Sequence, residues 1–334
     1  VNAAGASAAE PIESNRAFDR AGLALLDMFD ATTPSRRTIS HWKLRTRSLE
    51  LGQRTLVMGV VNITPDSFSD GGLFLDPEAA VAQALALLDD GADLLDLGAE
   101  STRPGSRAGD LAEAAVRAEQ EQARLLPVIE GILNQRSDAI LSADTYKAST
   151  ARAAVAAGIE IINDVSGFKW DEAMPGVCAE AGCGVVLMHT RGRPEEWGTQ
   201  AKMPAETLIE TVRAGLSESL DAALRAGIAP EAVILDPGYG FGKKFDENYT
   251  VLAHQAEFLA LGRPLLAGVS RKSFLGHTLA PLFGGDAAPV ESREIAGIAA
   301  LVAAILQGAS IVRVHAARPA VEAARIADAV LAAL

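Results

Sequence analysis

The chain has 334 residues and a formal net charge of −13 at pH 7. That length suits one large domain with an appendage, and the acidic balance argues against a nucleic-acid groove, because phosphate binding needs a surplus of Lys and Arg on some face. Two cysteines, Cys178 and Cys183, are spaced too widely for a redox or zinc pair and read as small buried hydrophobes; no apolar run approaches the roughly 18 residues that span a membrane and no signal-peptide pattern opens the sequence, so a cytoplasmic location and no membrane partner are expected.

Residues 1–55 stand outside the rhythm of the rest and are read as an N-terminal extension. Its first dozen residues, rich in Ala, Gly, Ser and Glu, predict disorder; Arg16 to Asp30 fits one amphipathic helix, and Trp42 to Glu50 alternates like an edge strand or hairpin arm. Over 56–334, short Val/Ile/Leu-rich runs alternate with Ala-rich segments of helical period. Strands are expected at Leu56 to Asn62, Leu94 to Gly98, Ala139 to Asp144, Ile159 to Asn163, Gly184 to Met188, Ala232 to Asp236, Leu265 to Val269 and Ser310 to His315. Helices fit at Pro77 to Asp90, Ala112 to Asn134, Lys147 to Ala157, Asp171 to Ala181, Ala205 to Ala226, Asn248 to Leu261, Ser292 to Gln307 and Pro319 to Ala332. Eight such pairs imply an α/β fold of the (β/α)8 TIM barrel type, whose bottom the extension would cover. A doubly wound open sheet is the rival, but it would carry a Gly-rich phosphate turn after its first strand, and none is there.

Each strand delivers something polar to one rim: Asn62, Asp96, Asp144, Asn163 with Asp164, His189, Asp236, Ser270 to Ser273, and Arg313 with His315. Any one of these is explained by a helix cap or a turn. All eight together point to a site at the C-terminal face of the barrel. His189 reads as a hydrogen-bonded structural histidine, Tyr239, Lys244 and His254 as packing or solvated residues, and Glu195 to Trp197 as a polar loop tip. The stretch Gly238 to Lys243 lacks the spacing of a phosphate loop and is read as a turn that frames a substrate.

Arg313 and His315 lie two apart on a strand and point the same way. With Arg103 and Lys272 they form a cationic group suited to a polyanion such as diphosphate. Asn62 and the carboxylates offer hard oxygen donors of the kind Mg²⁺ accepts when phosphate oxygens complete its shell. Asp96, Asp144, Asn163 and Asp236 can pair with the amidine-like edge of a planar heterocycle.

Six ordered motifs carry a resemblance: Asn62 to Gly72 (NITPDSFSDGG), Asp96 to Gly105 (DLGAESTRPG), Asn163-Asp164, Asp236 to Lys243 (DPGYGFGK), Ser270 to Ser273 (SRKS) and Arg313-Val314-His315. In this order they resemble the dihydropteroate synthase family. The resemblance implies a (β/α)8 barrel, usually a homodimer, that condenses (7,8-dihydropterin-6-yl)methyl diphosphate with 4-aminobenzoate to 7,8-dihydropteroate and diphosphate, a folate-synthesis step inhibited by sulfonamides. It places Asp96, Asp144, Asn163, Met188, Asp236, Lys272 and Arg313 around the pterin, and Phe68, Thr102, Arg103, Pro104, Phe241 and Ser273 around the aminobenzoate. Asn62 would hold Mg²⁺ on the diphosphate, which Arg313 and His315 also grip. Asn62, Asp70, Arg103, Lys272, Arg313 and His315 are the residues to which it assigns catalysis, with Asp70 or Glu100 as the carboxylate that stabilises a pterin cation or takes the late proton. The chain departs from the family pattern at Ala316, where an Asp is common, at Ala99, where a Gly is common, and at Tyr146, where a Ser is common. A corrinoid-linked methyltransferase barrel, a catalytically silent pterin-binding protein and a Schiff-base aldolase using Lys272 are the alternatives.

Overall fold

The computed structural model describes residues 38–64, 76–100 and 116–334. A hairpin of β1 (Ser40–Lys43) and β2 (Ser48–Leu51) comes first. Eight parallel strands follow: β3 (Leu56–Asn62), β4 (Leu94–Gly98), β5 (Leu141–Asp144), β6 (Ile161–Asp164), β7 (Gly184–Met188), β8 (Val233–Asp236), β9 (Leu265–Ala267) and β10 (Ala309–Val314). They pair in chain order and β10 closes on β3, with Ile311 opposite Leu56 and Arg313 opposite Met58. The fold is the expected (β/α)8 barrel. Its helices are α1 (Pro77–Asp89), α2 (Ala118–Gln135), α3 (Ala148–Ala156), α4 (Met174–Ala181), α5 (Ala205–Arg225), α6 (Phe245–Ala253), α7 (Ser273–Thr278), α8 (Glu294–Leu306) and α9 (Ala317–Ala332).

Alternation along the strands sorts the core into two layers, since successive side chains point to opposite faces. Leu95, Leu97, Ala143, Ile162, Val185, Leu187, Leu235 and Val312 join the layer between barrel and helices. Met58, Leu94, Ile161, Val186, Ile234, Leu266 and Ile311 form a separate cluster inside the barrel. Two positions beyond these inward residues stand Asp96, Asn163, Met188, Asp236 and Arg313. The same period that fills the lower barrel with hydrocarbon therefore aims the polar groups into its upper mouth.

The hairpin belongs to the inner cluster. Trp42 is fully buried there with Leu44 and Leu51, and its indole N–H donates to the Ala232 carbonyl at 2.9 Å. Its approach is close enough to require glycine at the start of β7, for a Cβ on Gly184 would lie 2.7 Å from Leu44 Cδ2. Glu160 accepts from the backbone N–H of Thr46 at 2.9 Å and from its hydroxyl, while Arg45 donates to the Ile159 carbonyl. These contacts seat the hairpin at the N-terminal ends of the strands.

Some boundaries differ from expectation for local reasons. The helix expected from Asp171 starts at Met174 because Asp171 serves as a turn, its carboxylate accepting from the N–H groups of Ala173 and Ala148. The segment expected as one helix from Asn248 to Leu261 is instead α6 and a 3-10 turn over Gln255–Leu261. Buried Gln255 draws the chain aside there, donating to the carbonyls of Ala304 and Gln307 while accepting from the Tyr239 hydroxyl. The helix expected at Arg16 to Asp30 lies outside the described residues.

Removing the Trp42 side chain leaves a cavity under the barrel and one unpaired carbonyl. Trp42→Ala should cost about 3–5 kcal/mol, read as a lower denaturant midpoint with an unchanged slope; a loss below about 1 kcal/mol would show that the hairpin does not seal the core.

Candidate active site

The mouth of the barrel is organised around Asp96, which ends an inward-facing column on β4. Its Oδ1 accepts from the Ser142 hydroxyl at 2.6 Å; its Oδ2 accepts from Asn163 Nδ2 at 2.8 Å and from Arg313 Nε at 2.6 Å. The register explains the first of these bonds, because Ser142 is the direct neighbour of Asp96 across β4 and β5. Asp96 is fully buried with both oxygens engaged, and it orients Asn163 and Arg313.

Arg313 reaches across the mouth and donates a second bond from its NH2 group to Asp144 Oδ2 at 2.7 Å. Burial is the main force on Asp144 and pushes its pKa up to about 7 against the pull of Arg313, with Asp96 and Glu121 adding to the rise. Asp236, at the end of β8, is also raised by burial, although the Gly238 N–H donates to its Oδ1 at 2.7 Å. Lys272 is lowered to about 8, by burial first and then by neighbouring Arg313. Its ammonium lies 4.1 Å from the centre of the Phe241 ring, a cation–π contact. Tyr146, Val165 and Met188, with half-buried Trp170 and Phe241 packed against them, make an apolar wall beside these polar groups.

The remaining predicted residues separate into two groups. Asn62 closes β3 beside Gly98, Ser273 opens α7 on an exposed position, and His315 follows β10 with its Nδ1 at 3.1 Å from the Ser270 hydroxyl. Phe68, Asp70, Thr102, Arg103 and Pro104 lie outside the described residues. Glu100 is engaged by the protein: Lys147 donates to its Oε2, and the Val116 N–H donates to its Oε1 at 3.1 Å. Among the described residues no group of three or more His, Cys, Asp or Glu side chains could hold a metal ion. Asn62 offers a hard cation one oxygen donor, of the kind that substrate and water oxygens can supplement.

Several residues acquire a place that sequence reasoning did not assign. Lys243 is buried beneath its own loop, and burial lowers its pKa to about 7. Its ammonium lies 3.0 Å from Nδ1 of His189, a histidine kept neutral by burial. Trp197, expected on a polar loop tip, is buried and meets Phe241 edge to face at 5.2 Å. The signal in both cases was weak: Lys243 follows three alternating glycines, and Trp197 follows two glutamates. Ala316 stands at the N-cap of α9 with no side-chain cap, and the Ser270 hydroxyl beside His315 Nδ1 is a contact that does not depend on residue 316.

Residues 58–315 match the family described as pterin binding enzyme. The dihydropteroate synthase of Mycobacterium leprae (strain TN) is 42% identical over 277 residues, covering 82% of this chain and 92% of that protein. Among solved structures, Xanthomonas albilineans dihydropteroate synthase with 4-aminobenzoic acid aligns with a TM-score of 0.76 and 40% identity, covering 88% of this chain and 99% of that one. Yersinia pestis dihydropteroate synthase with a sulfonamide drug aligns with a TM-score of 0.77 and 37% identity, covering 88% and 100%.

The raised Asp144 carboxyl makes a signed prediction. A group whose folded pKa is raised stabilises the fold fully below its unfolded pKa, near 3.8, and loses that contribution as pH rises through about 7. Asp144→Asn stays neutral, so its unfolding free energy should gain on that of the parent between about pH 4 and about pH 7. Denaturant titrations across that window test it; a constant difference would mean that Arg313 keeps Asp144 ionised throughout.

Proposed function

The chain belongs to the dihydropteroate synthase family of pterin-binding enzymes, and from that premise we propose how its barrel mouth performs the family reaction: joining (7,8-dihydropterin-6-yl)methyl diphosphate to 4-aminobenzoate and releasing diphosphate. The observation that carries this reading is the convergence of Asp236, Asn163, Asp144, Lys272 and Arg313 beside the apolar wall that ends in Phe241. Asp236 and Asn163 present an acceptor and an amide to the amino and ring N–H groups of the pterin, and Met188 supplies its apolar flank. Lys272 stands between that pocket and Phe241, so it touches the pterin on one side and marks the place of the aminobenzoate on the other. Ser273, next in sequence, offers its hydroxyl to the aminobenzoate carboxylate. Sulfonamides, bound to the Yersinia pestis relative, would enter by the same wall because they share the aniline ring.

The chemistry asks little of a general base. An aromatic amine is neutral near pH 7, so its lone pair attacks the pterin methylene directly; a C–N bond forms, the C–O bond to diphosphate breaks, and the surplus proton leaves from the amine nitrogen. Departure of diphosphate is the demanding event, and preorganised charge is the means of easing it. Arg313 is held in place by Asp96 and Asp144 before any substrate arrives, and His315 lies two residues further along the same strand direction. Mg²⁺, held by Asn62 together with diphosphate oxygens, would neutralise charge on the leaving group.

Two wider readings accompany this one. A homodimer is supported by the exposed apolar side chains Ile295 on α8 and Ile326 and Val330 on α9. Residence in the cytoplasm agrees with the substrates, and no helix among the described residues is long and apolar enough to cross a membrane.

A diphosphate-release assay tests the activity: release should require both substrates and fall when Mg²⁺ is chelated, and full activity in excess chelator would remove the metal from the scheme. Asp236→Asn should weaken binding of the pterin diphosphate by about fivefold to about 150-fold in calorimetry, from a mismatch worth about 1–3 kcal/mol; unchanged binding would move the pterin elsewhere. Replacing Ile295 and Ile326 together by Asp should convert the species seen by light scattering from dimer to monomer, and an unaltered mass would place the subunit contact on another face.

A further inference from the structure

Lys243 is a buried cation that contacts neither of the residues assigned to the pterin edge, yet its ammonium is surrounded. Gly238 O lies 2.8 Å away, His189 Nδ1 3.0 Å, His189 O 3.3 Å and Phe241 O 3.4 Å. An ammonium has three protons to donate and no acceptor capacity, so one end of this side chain satisfies a histidine and several backbone carbonyls together. The acceptors come from two places: the end of β7, at His189, and the turn after β8, at Gly238 and Phe241. That turn is wound tightly. Gly238, Gly240 and Gly242 all have positive φ, and a Cβ on Gly238 would fall 2.0 Å from the His189 carbonyl oxygen. Carbonyls crowded in this way repel one another unless a donor lies between them.

The turn is also the piece of backbone that carries Phe241, whose ring meets the Lys272 ammonium on one contact and Trp197 on another. Asp236 is set first by β8 itself, and the Gly238 N–H at the root of the turn donates to it. We propose that Lys243 is a positioning residue for the second substrate: it pins the Gly238–Gly242 turn to the end of β7 and so sets the Phe241 ring at the place the aminobenzoate ring requires. The inference rests on the reading that Phe241 frames the aminobenzoate.

A double-mutant cycle separates the two claims. Lys243→Met, Phe241→Ala and the double variant are compared for the aminobenzoate KM and, independently, for the calorimetric Kd of the pterin diphosphate. Each single change should raise the KM by roughly tenfold or more, since small misplacements of a binding wall are expensive, while the pterin Kd, which Lys243 reaches only through the charge and hydrogen bond of Asp236, moves by a severalfold smaller factor. The double variant should be no worse than Phe241→Ala alone within about twofold, because Lys243 acts through the residue already removed. Where Lys243→Met does not accumulate as folded protein, Lys243→Gln, which keeps two donors on a shorter stem, takes its place in the cycle. Multiplying effects, or equal losses for both substrates, would overturn the positioning role. A normal KM in Lys243→Met beside a raised one in Phe241→Ala would also overturn it and leave the placement of aminobenzoate intact. A normal KM in Phe241→Ala would remove that placement and the inference with it.

Discussion

A carboxylate with no access to water must be met by donors, because an ionised group buried without partners is among the most costly things a fold can contain. Asp96 is such a group, and the upper barrel is arranged to satisfy it. Its partners Ser142, Asn163 and Arg313 come from β5, β6 and β10, so one charge on β4 ties together four strand ends. Arg313, once drawn in by Asp96, is placed to reach Asp144 with its other arm. The geometry of the mouth is thus set before any ligand enters, which is the condition under which charge assists a reaction without reorganising.

This arrangement also resolves how a chain of net charge −13 offers an anion a landing place. Local field, and not the sum over the molecule, decides what binds. Arg313 and Lys272 converge where the strands end, and Lys243 adds a third cation one layer below. Burial lowers both lysines toward neutrality, to about 8 and about 7, and burial raises Asp144 to about 7. Burial thus moves these three groups toward their neutral forms.

Stability and chemistry occupy opposite ends of the same barrel. At the bottom, Trp42 and Leu44 pack against Ile234, Ile311 and their neighbours. At the top, the next inward positions are Asp236 and Arg313. A strand two residues longer or shorter at either end would exchange these layers, so the length of each apolar run is itself a functional quantity.

What could be read from the sequence by itself was whatever depends on covalent geometry over a few residues. The limits of β3, β4 and β7 were legible from Leu56 to Asn62, Leu94 to Gly98 and Gly184 to Met188, because a strand announces itself by its side-chain period and by the turn that ends it. The rim at Asp144, Asn163, Asp236 and Arg313 followed from the same counting. Tertiary structure alone decided which of these groups meet one another. Asp96 and Asp236 look alike in sequence, each following an apolar run, yet Asp96 accepts from three side chains, one of them supplied from 217 residues away. Lys243 looked like the end of a glycine-rich turn, and its role depends on His189, 54 residues earlier. Burial and pairing are properties of atoms brought together by the closed barrel, and no local pattern contains the distance between two strands that meet only when the sheet closes.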